Sequence, residues 1–244
     1  MQAMILAAGL GTRLKPITDE MPKALVEVNG KTLLEIAIRN LIENDFRRIV
    51  VNVHHFADKV KDFIDKNTFA ADIFISDESD LLLDTGGGIK HAQKFFDDSP
   101  ILVHNVDIIS NLNLKEFYQF HLSDDALASL VVSNRESNRY LLFNDDNILC
   151  GWQDVKKNEK IIVRDDVKLN HLAFSGIHLL NLHLIESFPK EEVFSVIKAY
   201  LKIAATEDIH AYVSNDLKWI DVGKVESLDK AGELYKKSYS TWMT

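Results

Sequence analysis

One cysteine, four prolines and no apolar run near the roughly 18 residues of a membrane span are what this 244-residue chain most visibly lacks. A single cysteine, Cys150, cannot close an internal disulfide, and its apolar neighbours make it a packing residue and not a nucleophile. With so little proline and no internal repeat or low-complexity tract, there is no obvious linker. Cations are also in deficit. The net charge of −9 argues against broad contact with nucleic acid, yet it leaves room for a local basic pocket around a small anion. The N-terminus has neither the charged start nor the cleavage pattern of a secretory signal, so a cytoplasmic location is expected. The nine histidines are scattered, and neither His54 with His55 nor His171 with His178 has the spacing of a helix-borne zinc pair.

What is present is a 46% hydrophobic content, enough to bury a substantial core, and an alternation of strand-like and helix-like segments. Residues 3–8 are an apolar run of strand length. Residues 31–44 place Leu34, Ile38, Leu41 and Ile42 at helical spacing behind Thr32, an N-cap candidate three residues before Glu35. A β-branched run at 48–53, a second amphipathic helix at 56–66 with Val60, Phe63 and Ile64 inward, and a short strand at 72–76 continue the rhythm. It predicts an α/β fold: a doubly wound, mixed and mostly parallel sheet flanked by helices, in one domain over 1–244. Beyond it the pattern predicts strands at 100–105, 127–133, 140–143, 148–152 and 172–180, a turn at 144–147, and a helix at 191–204 with Val193 on or near its apolar face. Two short strands within 210–222, a helix over 224–237 and a tail at 238–244 complete the chain.

Chemistry concentrates at residues 3–23, AMILAAGLGTRLKPITDEMPK. A buried strand running into a loop with Gly9, Gly11, Thr12 and Arg13 suits a phosphate, because glycine lets successive backbone N–H groups approach one anion. Arg13, Lys15 and Lys23 add cations; a tight turn beside a solvated basic face is the alternative for the glycine pair alone. The P-loop is excluded, since no Gly-Lys-Ser/Thr follows, and so is the dinucleotide fingerprint of an NAD-dependent oxidoreductase, whose third glycine is Leu14 here. Further on, DTGGGI places three glycines at a helix start, for a backbone function or for packing. Asp107 follows a strand end, where it can meet a phosphate-held metal or serve as a turn residue. Gly176, within FSGI, marks a close approach or ordinary strand packing. Lys156 and Lys157 in KKNEK read as a solvated loop.

The complete pattern, LAAGLGTRLKPIT followed by PKALVEVNGK, resembles the signature of the sugar-1-phosphate nucleotidyltransferases, the enzymes that make nucleotide sugars. The resemblance runs from about Met1 to Leu234 and implies a Rossmann-like, GT-A-like nucleotidyltransferase fold. Residues 1–110 would be its nucleotide-binding half, 111–223 its sugar-binding half, and 224–244 a C-terminal helix and tail. It implies that Gly9, Gly11, Thr12, Arg13 and Lys23 hold the triphosphate, Arg13 and Lys23 acting in catalysis, with substrate contacts also at Leu6, Ala7, Ala8 and Asn105. Gly86 and Gly87 would help select the base, and Ser175 and Gly176 would touch the sugar. Asp107 and the aspartate of WIDVG, Asp221, would bind Mg²⁺. The partners implied are a nucleoside triphosphate and a sugar 1-phosphate, with no nucleic acid or membrane, in a monomer or homodimer.

Asp84, in LDTGGGI, looks like the branch of N-acetylmuramate-1-phosphate uridylyltransferases, with mannose- or heptose-1-phosphate guanylyltransferase as runner-up. Two departures from the family pattern, Val106 in place of glycine and the absence of an EKP tripeptide, favour an alternative of another class, a non-catalytic nucleotide-sugar-binding regulatory subunit.

Overall fold

A computed structural model of the chain describes residues 1–97, 100–165, 168–214 and 216–238. The tail expected at 238–244 therefore lies, from residue 239 on, outside the described residues. The chain forms two compact units: residues 1–82, 104–114 and from Leu217 on make the first, and 83–103 with 115–216 the second. Each combines sheet and helix, and the class is the expected α/β, a mixed sheet flanked by helices.

In the first unit the strands Gln2–Leu6, Arg48–Val53 and Asp72–Asp77 pair in parallel, Arg48 facing both Gln2 and Asp72 in register. The central positions of Gln2–Leu6 and Arg48–Val53 are buried because helices cover a parallel sheet, so these two strands read as apolar runs rather than alternations, while Asp72–Asp77 is mostly half-buried. The helix Leu33–Glu43 begins where its sequence says it should: the Thr32 hydroxyl accepts the Glu35 N–H at 3.1 Å. Helix Ala57–Lys66 presents Val60 to the interior and leaves Phe63 and Ile64 half-buried. Ile108–Ser110 and Trp219–Asp221 form a separate antiparallel ribbon, on which the helix Leu228–Ser238 packs. No periodicity announces Ile108–Ser110, a strand too short to show one.

In the second unit the long strand Asn170–Leu180 pairs antiparallel with Arg139–Phe143 through its first residues and with Ala128–Ser133 through the rest. Between Phe174 and His178 the register shifts, and Gly176 sits there at φ 75°. Such a bulge lets one strand serve two partners. Ala128–Ser133 also pairs in parallel with Ile209–Val213, and Leu149–Asp154 continues the sheet to an exposed edge strand, Glu159–Ile162. The edge strand overlaps the KKNEK stretch, whose polar composition hides it. The expected helix at 191–204 is shorter, Val196–Ile203, because the Ser195 hydroxyl caps it by accepting the Ile197 N–H at 3.3 Å; Val193 stays exposed. The helix Leu114–Ser123 was not anticipated: Leu114, Phe117 and His121 bury one face at helical spacing, but a histidine at the third place disguises the stripe. Cys150 is buried, as a packing residue should be. Among the described residues no helix is long and apolar enough to cross a membrane.

His104 carries a pH consequence. It is buried in the strand Ile101–Asn105, and burial holds its imidazole down to about 4, against the opposing pull of the Asn105 carbonyl 2.8 Å from its Nδ1 and of the Asp107 charge. A depressed histidine is neutral in the folded state at pH values where the unfolded chain binds a proton. Stability is therefore present above about pH 6.5 and is lost as pH falls toward 4, by about 3 kcal/mol at most from this residue. Urea unfolding at pH 7 and pH 4.5 should show the His104→Leu variant losing less stability than the unsubstituted protein over that interval. Equal losses would remove His104 as the source.

Candidate active site

The first strand ends at Leu6 and releases the chain into the glycine loop, whose geometry is held from several sides. The Ala7 N–H donates to Asn52 Oδ1 at 2.7 Å, and the Val106 N–H donates to the Leu6 carbonyl at 3.1 Å. Gly11 is left-handed at φ 63°, which admits glycine with least strain. Its carbonyl accepts the Leu14 N–H at 2.8 Å and the Thr18 hydroxyl at 2.9 Å, so Thr18, which sequence reasoning did not single out, ties the loop down. A Cβ at position 11 would come within 2.9 Å of the Thr18 methyl and 3.0 Å of Lys23 Cβ. The loop is thus wrapped on the stem of Lys23. Leu14 is fully buried as the anchor of the short Thr12–Leu14 turn, leaving the Arg13 side chain 60% exposed, and nothing crowds Gly9.

Four ionic side chains converge beside this loop. The ribbon puts Asp221 opposite Ile108, and the Val222 N–H donates to the Asp107 carbonyl at 2.8 Å, so the two aspartates meet across it. Lys23, almost wholly buried, donates to Asp107 Oδ2, and its Nζ lies 3.9 Å from Asp221 Oδ1. Arg13 Nη2 lies 3.6 Å from Asp221 Oδ2. Burial, then the neighbouring Asp107 charge, push the Asp221 carboxyl above the usual range; Lys23 and Arg13 pull it back. Asp221 Oδ1 is buried and accepts no hydrogen bond. A carboxylate oxygen left in that state is costly unless a cation shares the site.

Gly223 completes this arrangement and was missed as a site residue, although it ends the WIDVG phrase. A Cβ there would lie 2.5 Å from Asp221 Oδ1 and 2.7 Å from Arg13 Nη2. Only a residue without a side chain lets the guanidinium and the carboxylate approach each other at that point.

Of the other expected residues, Gly86, Gly87, Ser175 and Gly176 lie in the second unit. Gly86 and Gly87 lie in the first turn of the helix Asp84–Ala92, and their N–H groups donate to the Phe194 carbonyl at 2.9 and 3.2 Å. A Cβ on Gly86 would strike the Phe194 ring, and one on Gly87 the Glu192 carbonyl. Packing against residues 192–194 thus accounts for both glycines without a ligand, and their amide protons are already committed. Ser175 is fully buried, next to Gly176 at the bulge. Asn105 is half-buried in the first unit, to which Leu6, Ala7 and Ala8 also belong. Lys156 and Lys157 are exposed. No group of three or more His, Cys, Asp or Glu side chains that could hold a metal occurs among the described residues, so protein ligation here amounts to two carboxylates.

A family model described as nucleotidyl transferase matches residues 2–238. The chain belongs to the nucleotidyl transferase family. It is an enzyme of nucleotidyltransferase type, with the family's sequence spread over both units. The nucleotidyl transferase is 32% identical over 229 residues to an N-acetylmuramate alpha-1-phosphate uridylyltransferase of Caulobacter vibrioides, covering 91% of each chain. A protein of the same name from Neisseria meningitidis is 30% identical, with 96% of this chain and 98% of that one covered. Among solved structures, HddC from Yersinia pseudotuberculosis complexed with GMP-PN superposes with a TM-score of 0.78 at 27% identity, over 96% of this chain and 99% of that one.

Proposed function

We propose that this nucleotidyl transferase moves UMP from UTP to N-acetylmuramate 1-phosphate, releasing pyrophosphate and a UDP-sugar. The observation that carries the reaction is the convergence of Arg13, Lys23, Asp107 and Asp221 beside the glycine loop. The substrate pair rests on full-length kinship with two N-acetylmuramate uridylyltransferases and on Asp84 in the DTGGGI phrase.

A sugar 1-phosphate is already an anionic nucleophile at neutral pH, so no general base is needed; the protein's task is alignment and neutralisation of charge. The new bond joins a sugar-phosphate oxygen to the α-phosphorus, and the bond between α-phosphorus and the bridging oxygen breaks. Backbone groups at Gly9, Gly11 and Thr12 hold the triphosphate, with Leu6, Ala7 and Ala8 leading into the loop. Arg13 stabilises the transferring and leaving phosphates. Lys23 offsets the repulsion between the two phosphate groups as they close. Asp107 and Asp221 fit Mg²⁺: both are hard oxygen donors, one buried Asp221 oxygen accepts no hydrogen bond, and a cation held by two carboxylates would complete its shell from water and phosphate. When bound, that ion would polarise the phosphoryl oxygens and neutralise developing charge. Asn105, Ser175 and Gly176 complete the reading on the sugar side, and Gly86 and Gly87 shape the base side through the packing they permit. The reading implies one domain working in the cytoplasm, as monomer or homodimer.

The test is pyrophosphate release with Mg²⁺, each nucleoside triphosphate being paired with N-acetylmuramate, N-acetylglucosamine, glucose, mannose and heptose 1-phosphates. UTP with N-acetylmuramate 1-phosphate should give the highest kcat/KM. Guanylyl transfer to mannose or heptose 1-phosphate is the second reading, favoured by the match to HddC solved with GMP-PN, and GTP outpacing UTP would establish it. Silence across the panel with nucleotide binding intact would instead favour a regulatory binding subunit.

A further inference from the structure

We propose that Asn52 and Glu78 are positioning residues that set the entry of the triphosphate loop, acting on the Leu6–Ala7 peptide from beneath. The inference rests on the reading of that loop as the triphosphate site. Asn52 stands in register with Leu6 on one side and Ser76 on the other, at the C-terminal end of the parallel strands, where ligands of α/β sheets bind. Its orientation is dictated: the Ala7 N–H can only donate, so Oδ1 faces it at 2.7 Å and Nδ2 must turn the other way. There Nδ2 donates to Glu78 Oε1 at 2.7 Å. Both residues are 3% exposed.

Glu78 is itself fixed. Its N–H donates to the Val53 carbonyl at 2.8 Å, and its carbonyl lies 2.6 Å from His54 Nδ1. A buried glutamate that serves no catalytic role in the proposed reaction thus holds one asparagine in one orientation, and the asparagine holds the first peptide of the loop. Were the Ala7 N–H released, it would be buried without a partner or would turn to find one, and the loop N–H groups that follow would turn with it.

Asn52→Asp discriminates this role from mere stability. The introduced carboxylate still accepts from Ala7, but it faces Glu78 acid to acid, and two carboxylates at that distance share one proton. With the proton present the relay survives; when it leaves, repulsion pulls the pair apart and the loop entry moves. The other titratable groups at hand are His54, and Asp77, which is paired with Lys61 at 2.8 Å; both remain in the variant and cancel in comparison with the unsubstituted protein.

The measurement is Mg²⁺-UTP and Mg²⁺-GTP affinity by calorimetry, and KM for the nucleotide that turns over, from pH 6 to pH 8.5. Asn52→Asp should be close to the unsubstituted protein at pH 6 and about tenfold weaker at pH 8.5, with kcat at saturation changing less than KM. Adding Glu78→Gln reverses donor and acceptor without changing shape and should restore flat, unsubstituted affinity. Near-UV circular dichroism confirms that each variant is folded at the assay pH. A pH-independent Asn52→Asp, or a folded double variant that stays weak, overturns the proposal alone. Failure of the unsubstituted protein to bind either nucleotide overturns the triphosphate reading and the proposal with it.

Discussion

Asp107→Asn is expected to lower Mg²⁺-dependent pyrophosphate release by roughly 10³-fold, the scale of several kcal/mol that metal stabilisation of a phosphoryl transition state supplies. The carboxylate has two duties that an amide cannot perform. It is one of only two acidic donors in the cluster, and an amide oxygen is a weaker ligand for a hard divalent ion. It is also the counter-ion of Lys23, whose side chain is almost wholly buried; without it the ammonium shifts toward Asp221 and blocks the place a cation would take. The fold should persist, because the bond that joins the two segments uses the Asp107 carbonyl and not its side chain. Asp221→Asn should behave similarly. Steady-state turnover across a Mg²⁺ titration, with thermal melting as the control for folding, checks both. Near-normal turnover in the two variants would remove the metal assignment.

Gly223→Ala should cost roughly 10²-fold in kcat, the price of a displacement of about 1 Å in a group that aligns phosphates. The added methyl would sit closer than 3 Å to both Asp221 Oδ1 and Arg13 Nη2. Arg13 is long and exposed and can swing away, whereas Asp221 is short and tethered by its strand, so the expected structural outcome is separation of the guanidinium from the carboxylate. The backbone at 223 is not in the left-handed region, so alanine introduces no conformational strain there and the melting temperature should change little. A variant with unaltered kcat would show that the Arg13–Asp221 approach is not needed for turnover.

Much of the scaffold was legible because its causes are local. Thr32 caps the helix its neighbours predict, and the β-branched run at 48–53 is the strand Arg48–Val53. Where local signals compete, the reading slipped. Ser195 starts a helix later than the apolar spacing suggests, since its hydroxyl captures a backbone N–H and the carbonyl just before it is taken by Gly86 and Gly87. Leu114–Ser123 hid behind a buried histidine, and Glu159–Ile162 behind a charged composition typical of exposed edges. Gly86 and Gly87 of DTGGGI show the limit most clearly: a sequence places glycines at a helix start and leaves a backbone function and packing both open, whereas the contacts that crowd a Cβ there, with Phe194 and Glu192, belong to a distant segment.

From the sequence alone came the α/β class, the strand that opens into a glycine loop, the family resemblance and the four ionic residues, because periodicity, capping and an uninterrupted motif are properties of neighbouring positions. Tertiary structure decided what those residues do together. The ribbon of Ile108–Ser110 with Trp219–Asp221 brings two aspartates side by side, the fold of the loop around its stem delivers Lys23 to one of them, and the lack of a side chain at Gly223 lets Arg13 reach the other. Asn52 and Glu78 gained a role only when strand register set them beneath the loop. Convergence of this kind depends on pairing and burial between segments far apart in the chain, and a one-dimensional pattern carries no record of it.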